Sequence, residues 1–176
     1  MVTSEYSETL TEITALLKHE SEAIMNIPVS ESYIKAVDLI YQKVHTEGGK
    51  VIASGMGKAG QIAENIATTF CSTGTPAVYL HPSEAQHGDL GIIRANDVLL
   101  VLSNSGKTRE ILELVELTHN LYEEVPFIVI TGNPDSDLPK FAEVSIFTGN
   151  PKEVCPLGLS PTTSTTAMTV IGDILV

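Results

Sequence analysis

The sequence predicts an α/β fold built on a parallel sheet. Five short apolar segments, at 51–53, 77–80, 98–102, 127–130 and 144–147, alternate with helical patterns, as βαβ units do. The segments are continuously apolar, as strands covered on both faces must be. Loops rich in glycine or hydroxyls follow several of them, where the carboxyl ends of a parallel sheet bind ligands.

The chain opens on helical patterning. Over residues 4–25, Leu10, Ile13, Leu16, Leu17 and Ile24 recur at three-four spacing, the stripe of an amphipathic helix. Asn26-Ile27-Pro28 breaks it. Ser30 caps a second predicted helix with an apolar face of Tyr33, Ile34, Val37, Ile40, Tyr41 and Val44, and Gly48-Gly49 ends it. After the first strand comes Gly55-Met56-Gly57-Lys58-Ala59-Gly60, then a helix over 61–72, closed by Gly74 where a left-handed residue is wanted. The fifth strand is expected near a sheet edge. From Pro161 onward the pattern of Met168, Val170, Ile171 and Ile174 predicts a last helix, and the chain stops inside it without a cap. Residues 1–47 are thus expected as an N-terminal helical segment packed on a domain spanning 48–176, with that domain truncated at its C-terminus.

A chain of 176 residues with 43% hydrophobic and 18% charged residues suits one well-packed domain. Its net charge of −12, from 22 acidic against 10 basic residues, argues against nucleic acid and membrane surfaces as partners. An anionic ligand would have to be captured locally, against that field. Cys71, in a predicted helix, and Cys155, in a loop, make no metal spacing and are expected as reduced thiols of a cytoplasmic protein. The first thirty residues lack the apolar core of a signal peptide. No apolar run is long enough to span a bilayer.

Four loops carry the candidate chemistry: 55–60, 81–88, 103–110 and 149–166. In the third, Ser103-Asn104-Ser105-Gly106-Lys107-Thr108 lies between a strand and a helix start. Bare amides, the hydroxyls of Ser103, Ser105 and Thr108, and the positive helix end suit a phosphate. The same residues would also serve as a plain helix cap and turn. The first loop has the spacing of a dinucleotide fingerprint, but the next strand ends in Leu80-His81-Pro82 rather than in a ribose-binding carboxylate. Lys58 within it could neutralise a phosphate or polarise a carbonyl. In the second loop His81 and His87 flank Glu84, a poor metal signature without a clear third ligand, though either histidine could exchange protons near neutrality. Glu110 stands in the first turn after the phosphate loop, either complementing the helix dipole or acting as a base. Glu153 lies in Pro151-Lys152-Glu153-Val154-Cys155-Pro156-Leu157-Gly158, and Ser164, Thr165 and Thr166 offer further hydroxyls at a helix start.

Together these motifs resemble sugar isomerase (SIS) domains, and within them the arabinose-5-phosphate isomerases, from about Gly48 to the last residue. The resemblance rests on Gly55-Met56-Gly57-Lys58, Ser72-Thr73-Gly74-Thr75-Pro76, His81-Pro82-Ser83-Glu84-Ala85, His87-Gly88-Asp89-Leu90-Gly91, Ser103-Asn104-Ser105-Gly106, Thr131-Gly132-Asn133-Pro134 and Cys155-Pro156-Leu157-Gly158-Leu159, with Pro161-Thr162-Thr163-Ser164-Thr165-Thr166 after it. It implies a flavodoxin-like five-stranded parallel sheet flanked by helices, assembled as a homotetramer. The implied reaction interconverts D-ribulose 5-phosphate and D-arabinose 5-phosphate, feeding 3-deoxy-D-manno-octulosonate synthesis for lipopolysaccharide or capsule.

The family's catalytic lysine and glutamates fall on Lys58, Glu110 and Glu153, and its ligand-lining pair on Gly74 and Thr75. Its histidines fall on His81 and His87, and its phosphate loop on Ser103, Asn104, Ser105 and Thr108. No cofactor is required, and His81 in relatives can capture an inhibitory zinc. Three departures from the family pattern stand out. The family's catalytic histidine lies downstream of the last residue, the paired regulatory CBS domains of full-length relatives are absent, and position 107, usually acidic, is Lys107. Mechanistically, Glu153 is expected as the base, with a pKa raised by a water-poor cleft, and Glu110 as the runner-up. Lys58 would stabilise the enediolate. His87 or the downstream histidine would open the ring or move the hydroxyl proton. A non-catalytic sugar-phosphate sensor, and an SIS isomerase for a heptose or hexulose phosphate, stay open beside this reading.

Overall fold

The computed structural model describes residues 2–176, with side chains from Tyr6 onward. Helices α1 (Val2–Met25) and α2 (Ser32–Ile40) lead into a π-helical turn at Tyr41–Thr46. The rest alternates: β1 (Val51–Gly55), α3 (Gly57–Ser72), β2 (Ala77–Tyr79), α4 (Pro82–Ala85), a 3₁₀ turn at Asp89–Ile92, β3 (Val98–Leu102), α5 (Arg109–Leu121), β4 (Phe127–Thr131), α6 (Leu138–Phe141), β5 (Val144–Phe147) and α7 (Thr163–Leu175). The sheet order is β2-β1-β3-β4-β5, and every neighbouring pair is parallel. This is the flavodoxin-like order expected from the resemblance.

The continuously apolar strands are explained by burial on both faces. Val51, Ala53, Leu100, Leu102, Ile128 and Ile130 pack against Ala36 and Ile40 of α2, Ile66 and Phe70 of α3, and Met168 and Ile171 of α7. Ile52, Leu99, Val101, Phe127 and Val129 face Ile111, Leu114 and Val115 of α5, Ala85 of α4 and Leu138 of α6. Strands β1, β3 and β4 are buried throughout, whereas β2 is half-buried and β5 alternates. β5 is therefore an edge strand, as its sequence predicts, and β2 is the other edge.

Four local expectations are revised. The third helix begins at Gly57 rather than near Gln61, because the glycines let it start directly on the strand. A Cβ on Gly60 would stand 2.5 Å from the Gly55 carbonyl oxygen, so this glycine serves close helix–strand packing. The second helix stops at Ile40 and continues as a wider turn. Its cap position is Glu31 rather than the expected Ser30, whose Oγ accepts from the Ser32 amide at 3.3 Å just ahead of the helix. Helices α4 and α6 and the 3₁₀ turn, each four residues long, carry too little periodicity to be seen in sequence.

The apolar stripe of α1 is only partly covered. Ala23 and Ile27 are buried on the domain, but Leu10 and Leu17 are 64% and 67% exposed, and Tyr6, Ile13 and Leu16 are open too. A 24-residue helix is about 36 Å long, and its first turns reach beyond the elements that could cover them.

One buried charge ties two strand entries together. Asp97, 1% exposed, accepts from the amides of Lys50 and Arg94 at 2.9 and 2.7 Å and from Lys50 Nζ at 2.7 Å. Lys50 precedes β1 and Asp97 precedes β3, so this cluster registers the two central strands. Asp97→Ala strands three donors and should lower unfolding stability by about 3 kcal/mol, with Asp97→Asn costing less. Chemical denaturation midpoints at pH 7 check this.

Candidate active site at the carboxyl ends of the strands

The chain leaves β1 towards β2 on one side and enters β3 on the other, so the loops after β1 and β3 diverge. At such a switch point a parallel sheet opens a crevice. A cavity of about 250 Å³ lies there, lined by Met56 and Ala59 of the first loop and helix, Leu102 to Ser105 and Thr108 of the third, and Pro161, Ser164, Thr165 and Met168 at the start of α7. The structure thus brings together six of the residues assigned to ligand binding: Ser103, Asn104, Ser105, Thr108, Ser164 and Thr165. Leu102, Met56 and Met168 supply its apolar wall; in sequence Met56 reads only as a member of the glycine motif and Met168 only as part of the last helix's apolar pattern. A wider groove of about 720 Å³ adjoins it, sharing Asn104 and Ser105 and adding Gly132, Asn133 and Asn150.

The loop over 103–108, expected to bind a phosphate, is held by its own hydrogen bonds. Ser103 Oγ pairs with Thr108 Oγ1 at 2.8 Å and accepts from the Gly106 amide at 3.2 Å. Ser105 Oγ accepts from the Lys107 amide at 3.2 Å, and Asn133 Nδ2 donates to the Ser105 carbonyl at 3.2 Å. Gly106 must remain glycine here: its φ is +63°, and a Cβ would fall 1.8 Å from Ser136 Oγ. Not every amide is bare, since those of Gly106 and Lys107 are spent inside the loop. The amides of Ser105, Thr108, Arg109 and Glu110, at the start of α5, have no acceptor among the described residues. Thr108 caps α5 by position without a side-chain bond to its amides. This helix start therefore remains open to an anion.

The start of α7 is already occupied. Glu153 Oε2 accepts from the Thr162 amide at 2.7 Å, the Thr162 hydroxyl at 2.8 Å and the Ser164 amide at 3.3 Å. The expectation of a raised pKa for Glu153 is overturned. Partial burial pushes its carboxyl up, but the donors of Ser164 and Thr162 outweigh burial and hold it below the ordinary range. Beside it, Ser164 Oγ, in a residue that lines the cavity, is buried without a partner among the described residues.

Lys58, Glu110 and Glu153 do not themselves line the cavity. Lys58 lies between its lining residues Met56 and Ala59, is exposed, and donates to Gln61 Oε1 at 3.3 Å. Glu110 is half-buried in the first turn of α5 and makes no side-chain bond, whereas its neighbour Arg109 is held by Glu113 at 2.7 Å. The three groups thus stand at, or cap, the starts of α3, α5 and α7.

The remaining candidates are placed apart. His81 follows β2 and lines a separate cavity of about 370 Å³ with Tyr79, Gly88, Asp89 and Ile92, and its Nδ1 is buried without a partner among the described residues. His87 is exposed after α4. Among the described residues no group of three or more side chains is placed to hold a metal ion. Gly74 (φ +90°) and Thr75 precede β2, at the opposite end of the sheet from the cavity, and Thr75 Oγ1 bonds His45 Nε2 at 3.1 Å. Both cysteines are free. A larger cleft of about 580 Å³, between α5 and α6 and lined by Val115, Phe127 and Phe141, contains none of the candidates.

Known proteins share this fold. An Escherichia coli CFT073 protein solved in complex with arabinose 5-phosphate superposes with a TM-score of 0.87 at 32% identity, covering 96% of this chain and 88% of its own. A Bacteroides fragilis protein, described from its crystal structure as a candidate phosphosugar isomerase involved in capsule formation, gives 0.94 at 63% identity, with 95% and 87% covered. The arabinose 5-phosphate isomerase KdsD of Yersinia pestis is 43% identical over 159 residues, which are 90% of this chain and 47% of that protein. Its namesake from E. coli K12 is 50% identical over 127 residues, 72% of this chain and 38% of that protein. The chain thus spans less than half the length of these curated relatives. The SIS domain model matches residues 46–176, the stretch that holds the sheet, the phosphate loop and Glu153, and the chain belongs to the SIS domain family.

Proposed function

We propose that the chain is an aldose–ketose isomerase that interconverts D-ribulose 5-phosphate and D-arabinose 5-phosphate through an enediolate. The observation that carries this reading is the pairing of helix starts around one cavity: α7 is neutralised by Glu153, while α5 is left open for a ligand phosphate. The names of the relatives, and the arabinose 5-phosphate bound to the E. coli CFT073 protein, support the five-carbon substrate. No lysine or arginine lines the cavity, so hydroxyls, amides and the helix dipole would hold the phosphate, with Lys58 and Lys107 as nearby cations.

The phosphate supplies binding energy remote from the reacting carbons. A base then removes the proton on C2 of the aldose, electrons pass through the enediolate, and the proton returns to C1, while the hydroxyl proton moves between O2 and O1. Glu153 takes the base role, with Glu110 as the alternative. Its depressed pKa keeps it ionised before substrate arrives, and a bound dianion nearby raises its proton affinity. Lys58 stabilises the oxyanion. His87, or a histidine beyond this chain, moves the hydroxyl proton. Such chemistry calls for no redox cofactor or metal, and zinc at His81 would act as an inhibitor. The product would feed 3-deoxy-D-manno-octulosonate synthesis in the cytoplasm. A homotetramer would cover the open stripe of α1 and could bring Gly74 and Thr75 of one copy to the site of another.

Three outcomes follow. Glu153→Gln or Glu110→Gln should lower turnover about a hundredfold in a coupled isomerase assay, and turnover within threefold of wild type for both would sink the assignment. Because the folded pKa of Glu153 is depressed, its stabilisation is complete above the unfolded value of about 4.3 and is lost as pH falls through the lower folded value. Glu153→Gln should therefore flatten the acid limb of stability, read from urea midpoints between pH 7 and 3. Leu10→Glu with Leu17→Glu should reduce the assembled mass in sedimentation, because buried charge opposes the interface.

A further inference from the structure

We propose that His19 and Glu20, near the end of α1, are positioning residues that hold Glu153 in place; the proposal rests on the isomerase reading above. Both lie outside the matched residues 46–176, and neither belongs to any motif of the sequence. Within the loop from β5 to α7, Thr162 bonds the Glu153 carboxylate and the Val154 amide, Asn150 N–H bonds Thr148 Oγ1, and Gly158 N–H bonds the Cys155 carbonyl. These bonds hold the Glu153 carboxylate, but among the described residues the backbone on its amino side gains its tie from outside the loop.

Both peptide groups that flank Glu153 are tied to α1. On the amino side, the Lys152 carbonyl accepts from His19 Nε2 at 2.7 Å. A carbonyl can only accept, so Nε2 carries the proton. On the carboxyl side, the Val154 amide donates to the hydroxyl oxygens of Thr162 and Thr163 at 3.2 and 3.1 Å. The Thr163 hydroxyl in turn donates to Glu20 Oε1 at 2.7 Å. A carboxylate only accepts, so Glu20 fixes the direction of this chain and leaves the Thr163 oxygen free for Val154.

The arrangement is costly to the fold. Glu20 Oε2 is buried without a partner among the described residues, and such an oxygen opposes folding. A precise geometry at Glu153 accounts for keeping it. Beyond these ties, Gly149 passes close to Asn26 and Pro28, just beyond α1, while Thr162 of the loop and the first turn of α7 hold the Glu153 side chain. The end of α1 thus acts as a brace on the loop, while its first turns stay exposed.

The test is steady-state kinetics and amide exchange on the full chain with His19→Ala, Glu20→Ala, His19→Gln, Glu20→Gln and the pair His19→Ala with Glu153→Gln. Each alanine variant should lower kcat about tenfold and leave KM within about twofold, because α1 does not line the phosphate cavity. The glutamine variants, which keep the donor or the acceptor, should recover most of the loss. In the Glu153→Gln background His19→Ala should cost less than about twofold, since its effect passes through the missing carboxylate. An equal loss in both backgrounds overturns the proposal. Amides 152–155 should exchange faster in the alanine variants and not in the glutamine ones, and unchanged exchange also overturns it. Should His19→Ala fail to fold, Glu20→Ala carries the same comparisons. Wild-type turnover in Glu153→Gln passes the base role to Glu110 and overturns the proposal, whereas an inactive wild type overturns the isomerase reading and leaves exchange to decide the positioning.

Discussion

The hydrogen bonds from the first turn of α7 to the Glu153 carboxylate are the interaction on which the site depends. Helix starts carry unsatisfied amides and a partial positive charge. Two that converge on one cavity would compete for the same anion. Filling one with a side chain of the chain itself leaves the start of α5 as the open anion seat. It also sets the protonation state of the group proposed as the base. One constraint therefore leaves a single helix start open at the cavity and lowers the pKa of a nearby carboxylate.

That arrangement answers the charge problem of an acidic protein. With a net charge of −12, no long-range field draws an anion in. The cavity has no lysine or arginine in its lining. Oriented amides, hydroxyls and helix dipoles are rigid and short-ranged, so they would act on the proposed phosphate only once it is inside. The apolar wall of Leu102, Met56 and Met168 strengthens them by lowering the local dielectric.

The sheet supplies the rigidity. Strands β1, β3 and β4 are buried on both faces, and Asp97 pins the entries of β1 and β3. The loops that bear Met56 and Ser103 to Thr108 leave the opposite ends of those same strands. Fixing the strands therefore fixes the separation of the loops across the crevice. The Glu153 loop leaves an edge strand instead, and it gains its anchors from α1 and α7 rather than from the sheet.

Much was legible in the sequence because it depends on neighbours along the chain. Continuous apolar runs marked buried parallel strands, and Ser103 to Thr108 marked a helix start suited to an anion, since both are local properties of period, cap and turn. The glycine at 74 marked a helix end for the same reason. Tertiary structure alone decided the rest. Whether the Glu153 pKa rises or falls depends on donors nine and eleven residues away, and no spacing rule weighs those donors against burial. The ties of His19 and Glu20 to positions more than 130 residues away arise only when α1 folds back onto the domain. Gly74 and Thr75 belong to the matched motifs, yet parallel pairing sets them at the far end of the sheet, because every strand must start on the side away from the ligand.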